Sequence, residues 1–140
     1  MKKLNFFLSA GALATIAFLL LSFAVPQQKS SKTWDIPENY LKMKNPQAAG
    51  DAEMVKLGKM LYAKHCKACH GSTGKGDGPK AAQLDTPIID FSTDAFHKQA
   101  DGELYYKSFV GRDEMPNFEK KVIEDEERWA IITYMRATFK

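Results

Sequence analysis

Beyond position 50 the apolar residues fall into helical spacing three times. Asp51, a residue type that caps helix N-termini well, is followed by Met54, Leu57, Gly58, Leu61, Tyr62 and His65 at three- and four-residue steps, which predicts one amphipathic helix. Gly58 in its middle costs about 1 kcal/mol of helix propensity relative to alanine, so a second helix is expected to cross closely there. Another helix is predicted over residues 101–110, ended by Gly111. The third starts near Glu124, where Glu124, Asp125, Glu126 and Glu127 place carboxylates at the positive end of the helix dipole. It continues through Trp129, Ile131, Ile132, Tyr134, Met135 and Phe139, with Arg136 and Lys140 near its end. Residues 71–79 are a loop by composition, residues 80–84 read as one helical turn, and residues 85–96, which include Pro87, read as loop. No stretch has the alternation of a strand and no segment repeats, so the fold class is all-α.

The first 50 residues have a different character. Lys2 and Lys3 precede an almost wholly apolar stretch, residues 4–21, and Ser22-Phe23-Ala24 puts small residues where an export signal is cut. Residues 1–24 are therefore expected to be a signal peptide cleaved after Ala24. An uncleaved anchor is the competing reading, because the stretch is close to the roughly 20 residues that span a bilayer. Residues 25–50, with Pro26, Pro37 and Pro46, read as an extended arm. Trp34, Ile36, Tyr40, Leu41 and Met43 are too apolar for a purely flexible linker and are expected to lie on the domain of residues 51–140 or on a partner.

The chemistry is concentrated in Cys66-Lys67-Ala68-Cys69-His70, a C-x-x-C-H run at the end of the first predicted helix. Two thiols at this spacing can each add to one vinyl group of a haem, and the adjacent histidine can ligate the iron. A closed zinc site needs four protein ligands, and the chain offers two cysteines and three histidines, His65, His70 and His97, without finger-like histidine spacing. A thioredoxin-like dithiol wants a strand before the motif and a helix after it. Here a helix precedes and glycines follow. Lys75 is followed by Gly76 where a phosphate-binding loop needs serine or threonine.

Charge changes the picture little. The 20 basic residues face 17 acidic ones, and loss of residues 1–24 would remove Lys2 and Lys3, so the net charge of +3 would fall to +1. Nothing points to nucleic acid, and steering of a partner would have to come from local patches.

The order Gly58-x3-Tyr62-x3-Cys66-x2-Cys69-His70-Gly71, then Gly78-Pro79, Gly111-x3-Met115-Pro116-x-Phe118 and Trp129-x4-Tyr134-x-Arg136 resembles a class I, single-haem c-type cytochrome domain over residues 51–140. The resemblance implies a cytochrome c-like fold of about three main helices around one haem c attached through Cys66 and Cys69. It implies a crossing of the first and last helices at Gly58 and Tyr62 against Ile131 and Tyr134. It also implies that the Pro79 carbonyl faces the nitrogen of His70 that points away from iron.

For the second axial ligand, Met115 lies 45 residues after His70 on a loop backed by Pro116. Its thioether would favour ferrous iron relative to bis-histidine ligation. His97, at a loop-like position, is the alternative; Met60 and Met135 lie on helices and Met43 in the arm. Lys64, Lys67, Lys75, Lys80 and Arg112 would rim the haem edge, diluted by Asp77, Asp113 and Glu114. The expected function is electron transfer with redox protein partners, as an exported periplasmic carrier or as the haem subunit of a membrane-associated respiratory oxidoreductase. A haem- or dithiol-dependent redox enzyme is the alternative; a six-coordinate iron would leave no position for substrate.

Overall fold

The computed structural model describes residues 33–140; the expected signal segment lies outside the described residues. Among these residues no strand forms, and the only bridge pairs Arg112 with Met115. The elements in chain order are α1 (Glu38–Leu41), α2 (Ala52–His65), α3 (Lys67–His70), a 3-10 turn (Ala81–Gln83), α4 (Asp94–His97), α5 (Asp101–Tyr105) and α6 (Asp125–Thr138). Among the described residues no helix is long and apolar enough to cross a membrane.

Asp51 begins α2 as the sequence predicts, its carboxylate accepting from the Glu53 and Met54 amides at 3.0 and 3.1 Å. Such a cap is worth about 1 kcal/mol. Gly58 faces α6 so closely that a β-carbon there would overlap the Ala130 carbonyl and come within 2.7 Å of the Tyr134 β-carbon. The crossing thus uses Ala130 and Tyr134, one residue from the Ile131 contact that the resemblance implied. Every residue of α6 from Trp129 to Met135 is buried, and its Trp129, Ile131, Ile132, Tyr134 and Met135 form one hydrophobic cluster with Tyr62, Phe91, Phe96, Leu104, Tyr105, Phe109, Val122 and Phe139.

Two local expectations are corrected. Residues 101–110 are helical, but after Tyr105 the backbone widens into a π-turn over Tyr106–Val110, closed by the Gly111 amide on the Tyr106 carbonyl at 3.1 Å. Residues 85–96 are not loop throughout: Thr93 caps α4, its hydroxyl accepting from the Phe96 amide at 3.3 Å, and Phe96 is driven into the core.

Residues 33–47 lie against α5 and the π-turn. Tyr40 sits 4.9 Å from Tyr106 and 6.2 Å from Tyr105 between ring centroids, and the Tyr40 carbonyl occupies the space a side chain on Gly102 would need. Asn45 completes the attachment. Its amide donates to Asp101 at 3.1 Å and its side-chain nitrogen to the Thr133 hydroxyl at 2.9 Å.

Candidate haem site

The motif is built at the end of α2. Cys66 closes that helix, its amide bonding to the Tyr62 carbonyl at 2.9 Å, and its own carbonyl then accepts from Cys69 and His70 at 3.2 and 3.0 Å. This makes α3 a single turn that groups Cys66, Cys69 and His70. Both thiols are free and half-buried. The glycine loop then folds back onto the turn, with Gly76 bonded to the His70 carbonyl at 3.0 Å, Gly78 to Cys69 at 3.1 Å and Lys80 to Ala68 at 2.9 Å. Gly78 has no room for a side chain, because a β-carbon would lie 2.7 Å from the Cys69 carbonyl oxygen. The neighbouring Pro79 is therefore carried to the motif by backbone bonds on both sides.

His70 stacks on Phe91, with ring centroids 4.7 Å apart and planes 21° apart, and its Nδ1 is buried with no hydrogen-bond partner. The bond from Nδ1 to the Pro79 carbonyl that the resemblance implied is accordingly not made here. Burial pushes the His70 imidazole down to about 4, so it is neutral near pH 7 and keeps a lone pair for a metal. Burial, and then the neighbouring Cys69, pushes the Cys66 thiol up to about 12. That is opposite to the lowered value of a reactive dithiol. A half-buried, neutral imidazole and two unoxidised thiols on one helical turn fit a haem held by two thioether links and a histidine.

Met115 lies elsewhere in the chain, on a tight turn. Its amide and carbonyl pair with those of Arg112 at 2.9 and 2.8 Å, and Asp113 takes a positive φ of 49° within the turn. Gly111, at φ 69°, leaves no space for a side chain beside the Met115 and Pro116 carbonyls. Glu114 ties this turn to the segment following Pro79, its carboxylate accepting from the Asp85 and Thr86 amides at 3.0 and 2.6 Å. His97 is engaged in a backbone bond, donating from Nε2 to the Phe139 carbonyl at 2.6 Å. Met60 is 59% exposed and Met135 is 3% exposed in the core.

Lys64, Lys67, Lys75 and Lys80 are exposed as expected of a rim. Arg112 differs. Its guanidinium lies 4.0 Å from the Trp34 ring centre and donates to the Thr33 carbonyl at 2.8 Å, so part of its capacity is used within the chain. Sequence reasoning placed Glu114 on the rim and Trp34 on the domain or a partner, but did not find Phe91 or the contacts that Glu114 and Trp34 make, since each joins segments distant in the chain.

The comparisons with known proteins agree with this geometry. Residues 53–135 match the family described as cytochrome c oxidase, cbb3-type, subunit III. Over 128 residues, 91% of this chain, the sequence is 24% identical to the cytochrome bc1 complex cytochrome c subunit of Corynebacterium diphtheriae. The alignment covers 43% of that relative, so the chain spans less than half its length. With the motif order, the helical fold and the family match in accord, the chain belongs to the cbb3-type subunit III family of cytochrome c domains, a class I, single-haem c-type family.

Proposed function

We propose that the protein carries single electrons on one haem c, held by thioether links to Cys66 and Cys69 and ligated by His70 and Met115. The observation that supports this most directly is the single helical turn that brings both free thiols beside the half-buried, neutral His70 imidazole. Bound haem would supply an iron that cycles between ferric and ferrous without bond chemistry on a substrate. The chain's own residues hold it: α2 and α3 fix the two cysteines and His70 on one face, and the glycine loop keeps Pro79 against the motif. The Arg112–Met115 turn presents a thioether, a ligand that favours the reduced metal. The raised Cys66 thiol speaks against a dithiol enzyme.

In this reading residues 1–24 act as an export signal or anchor, residues 25–50 as an arm and residues 51–140 as the haem domain. The relative's place in a cytochrome bc1 complex supports a role beside a membrane-bound respiratory assembly, with redox proteins as donor and acceptor. The test is spectroelectrochemical titration of the haem-loaded protein. One reversible one-electron wave with a low-spin spectrum in both oxidation states supports the reading. A high-spin iron that turns over a substrate would replace it with an enzyme. Cys66→Ser and Cys69→Ser should each sharply reduce haem attachment during maturation.

A further inference from the structure

The N-terminal arm reaches the turn that carries Met115. Trp34 is half-buried, with its face covered by the Arg112 guanidinium at 4.0 Å, its edge against Tyr106 at 6.3 Å between centroids, and the Lys107 ammonium 5.9 Å from its ring centre. The same guanidinium donates to the Thr33 carbonyl at 2.8 Å. The Arg112 backbone is paired in both directions with Met115. Two covalently separate segments, the arm at 33–34 and the turn at 112–115, are thus joined through one side chain, while Glu114 anchors the opposite flank of the turn at Asp85 and Thr86.

This arrangement bears on a weak link in the site. A neutral thioether holds ferric iron less firmly than an imidazole does, so its retention depends on how rigidly the backbone presents it. The turn contains Asp113 in the left-handed region, which costs a non-glycine residue energy and persists where surrounding contacts offset that cost. The contacts around it include the ion pair of Arg112 with Asp113 itself at 3.7 Å, Arg112 on Trp34 and Thr33, and Glu114 on the loop. We infer that Trp34, acting through Arg112, is a positioning residue that keeps Met115 on the iron, so that the arm controls how readily the distal ligand is lost. This rests on the reading of Met115 as the axial ligand.

The experiment uses the full haem-loaded protein in the ferric state and imidazole as competing ligand. Displacement is followed by loss of the near-infrared sulfur-to-iron band, alongside reduction potential and unfolding midpoint. Trp34→Ala and Arg112→Gln should each accelerate displacement by roughly fivefold, the scale of a partly desolvated cation–π contact. Adding Trp34→Ala to Arg112→Gln should change the rate little beyond Arg112→Gln alone, because the arginine variant already removes the contact with the ring along with its bond to Thr33 and its pair with Asp113. Trp34→Phe should recover most of the wild-type rate. Asn45→Ala, which loosens the far end of the arm, is the control for stability alone. Displacement at the wild-type rate in Trp34→Ala and Arg112→Gln, with the band intact, overturns this inference and leaves the Met115 assignment standing. Equal acceleration in Asn45→Ala at matched loss of stability overturns it in favour of a structural role. A wild-type protein without the band overturns the inference and the Met115 assignment together.

Discussion

The Tyr62 hydroxyl donates to the Gly71 carbonyl at 2.8 Å, joining the helix that leads into Cys66 to the first residue after His70. The motif is therefore closed on itself across the interior, with the Tyr62 ring packed on Tyr134 and Phe139 at 5.4 and 5.2 Å. Tyr62→Phe keeps the ring contacts and strands a buried carbonyl. It should lower stability by about 1–3 kcal/mol, measured by denaturant titration, with little change in the haem spectrum. A loss no larger than that of an exposed tyrosine substitution would mean that the bond carries no weight.

Gly58→Ala tests the helix crossing. The added methyl meets the Ala130 carbonyl and the Tyr134 β-carbon, neither of which is a flexible side-chain end, so α2 and α6 must separate. The expected cost is about 1–3 kcal/mol despite the better helix propensity of alanine. A stabilised variant would show that the crossing has room.

Alkaline stability follows from Tyr105. Burial, and then its bond to the Asp125 carboxylate at 2.6 Å, raise this phenol to about 12. In the unfolded chain it titrates near 10. Between those values the unfolded state releases its proton first. The contribution is thus fully present below about pH 10 and is lost as pH rises towards 12. The unfolding midpoint should hold up to about pH 10 and then fall, and Tyr105→Phe should flatten part of that fall.

Much of this was legible in the sequence, and the reason is periodicity. Asp51, the stripe through Tyr62 and the apolar run from Trp129 located α2 and α6 because each follows from neighbours within one or two turns. The C-x-x-C-H spacing likewise singled out Cys66, Cys69 and His70, which the structure groups on one helical turn. The short helix at Asp94–His97 had only a local signal, Thr93 ahead of Asp94 as a cap, and its single turn is too brief to show a stripe. The stacking of Phe91 on His70 and the contacts of the Met115 turn with Trp34 and the Thr86 amide join residues more than 20 positions apart. Such pairs leave no trace in local pattern. The widening at Tyr106–Val110, where Tyr106 packs on Tyr40 of the arm, is likewise not encoded in the apolar spacing of residues 101–110.

Partner steering is expected from Lys67 and Lys75, both exposed on or just after the motif. Reversing both to glutamate should slow reduction by an acidic redox partner at low ionic strength. The difference should vanish near 1 M salt, where the screening length shrinks to about 3 Å. Equal rates across the salt series would remove the patch and leave the haem assignment untouched.

The central claim, a haem joined covalently at Cys66 and Cys69, is tested most directly by acid extraction. The protein is made with an export and haem-attachment system, non-covalent haem is stripped with acidified solvent, and the pyridine haemochrome of the residue is recorded. The account predicts that the colour stays with the polypeptide, that its spectrum is of the c type, and that no free thiol remains. A colourless polypeptide with two titratable thiols would contradict it.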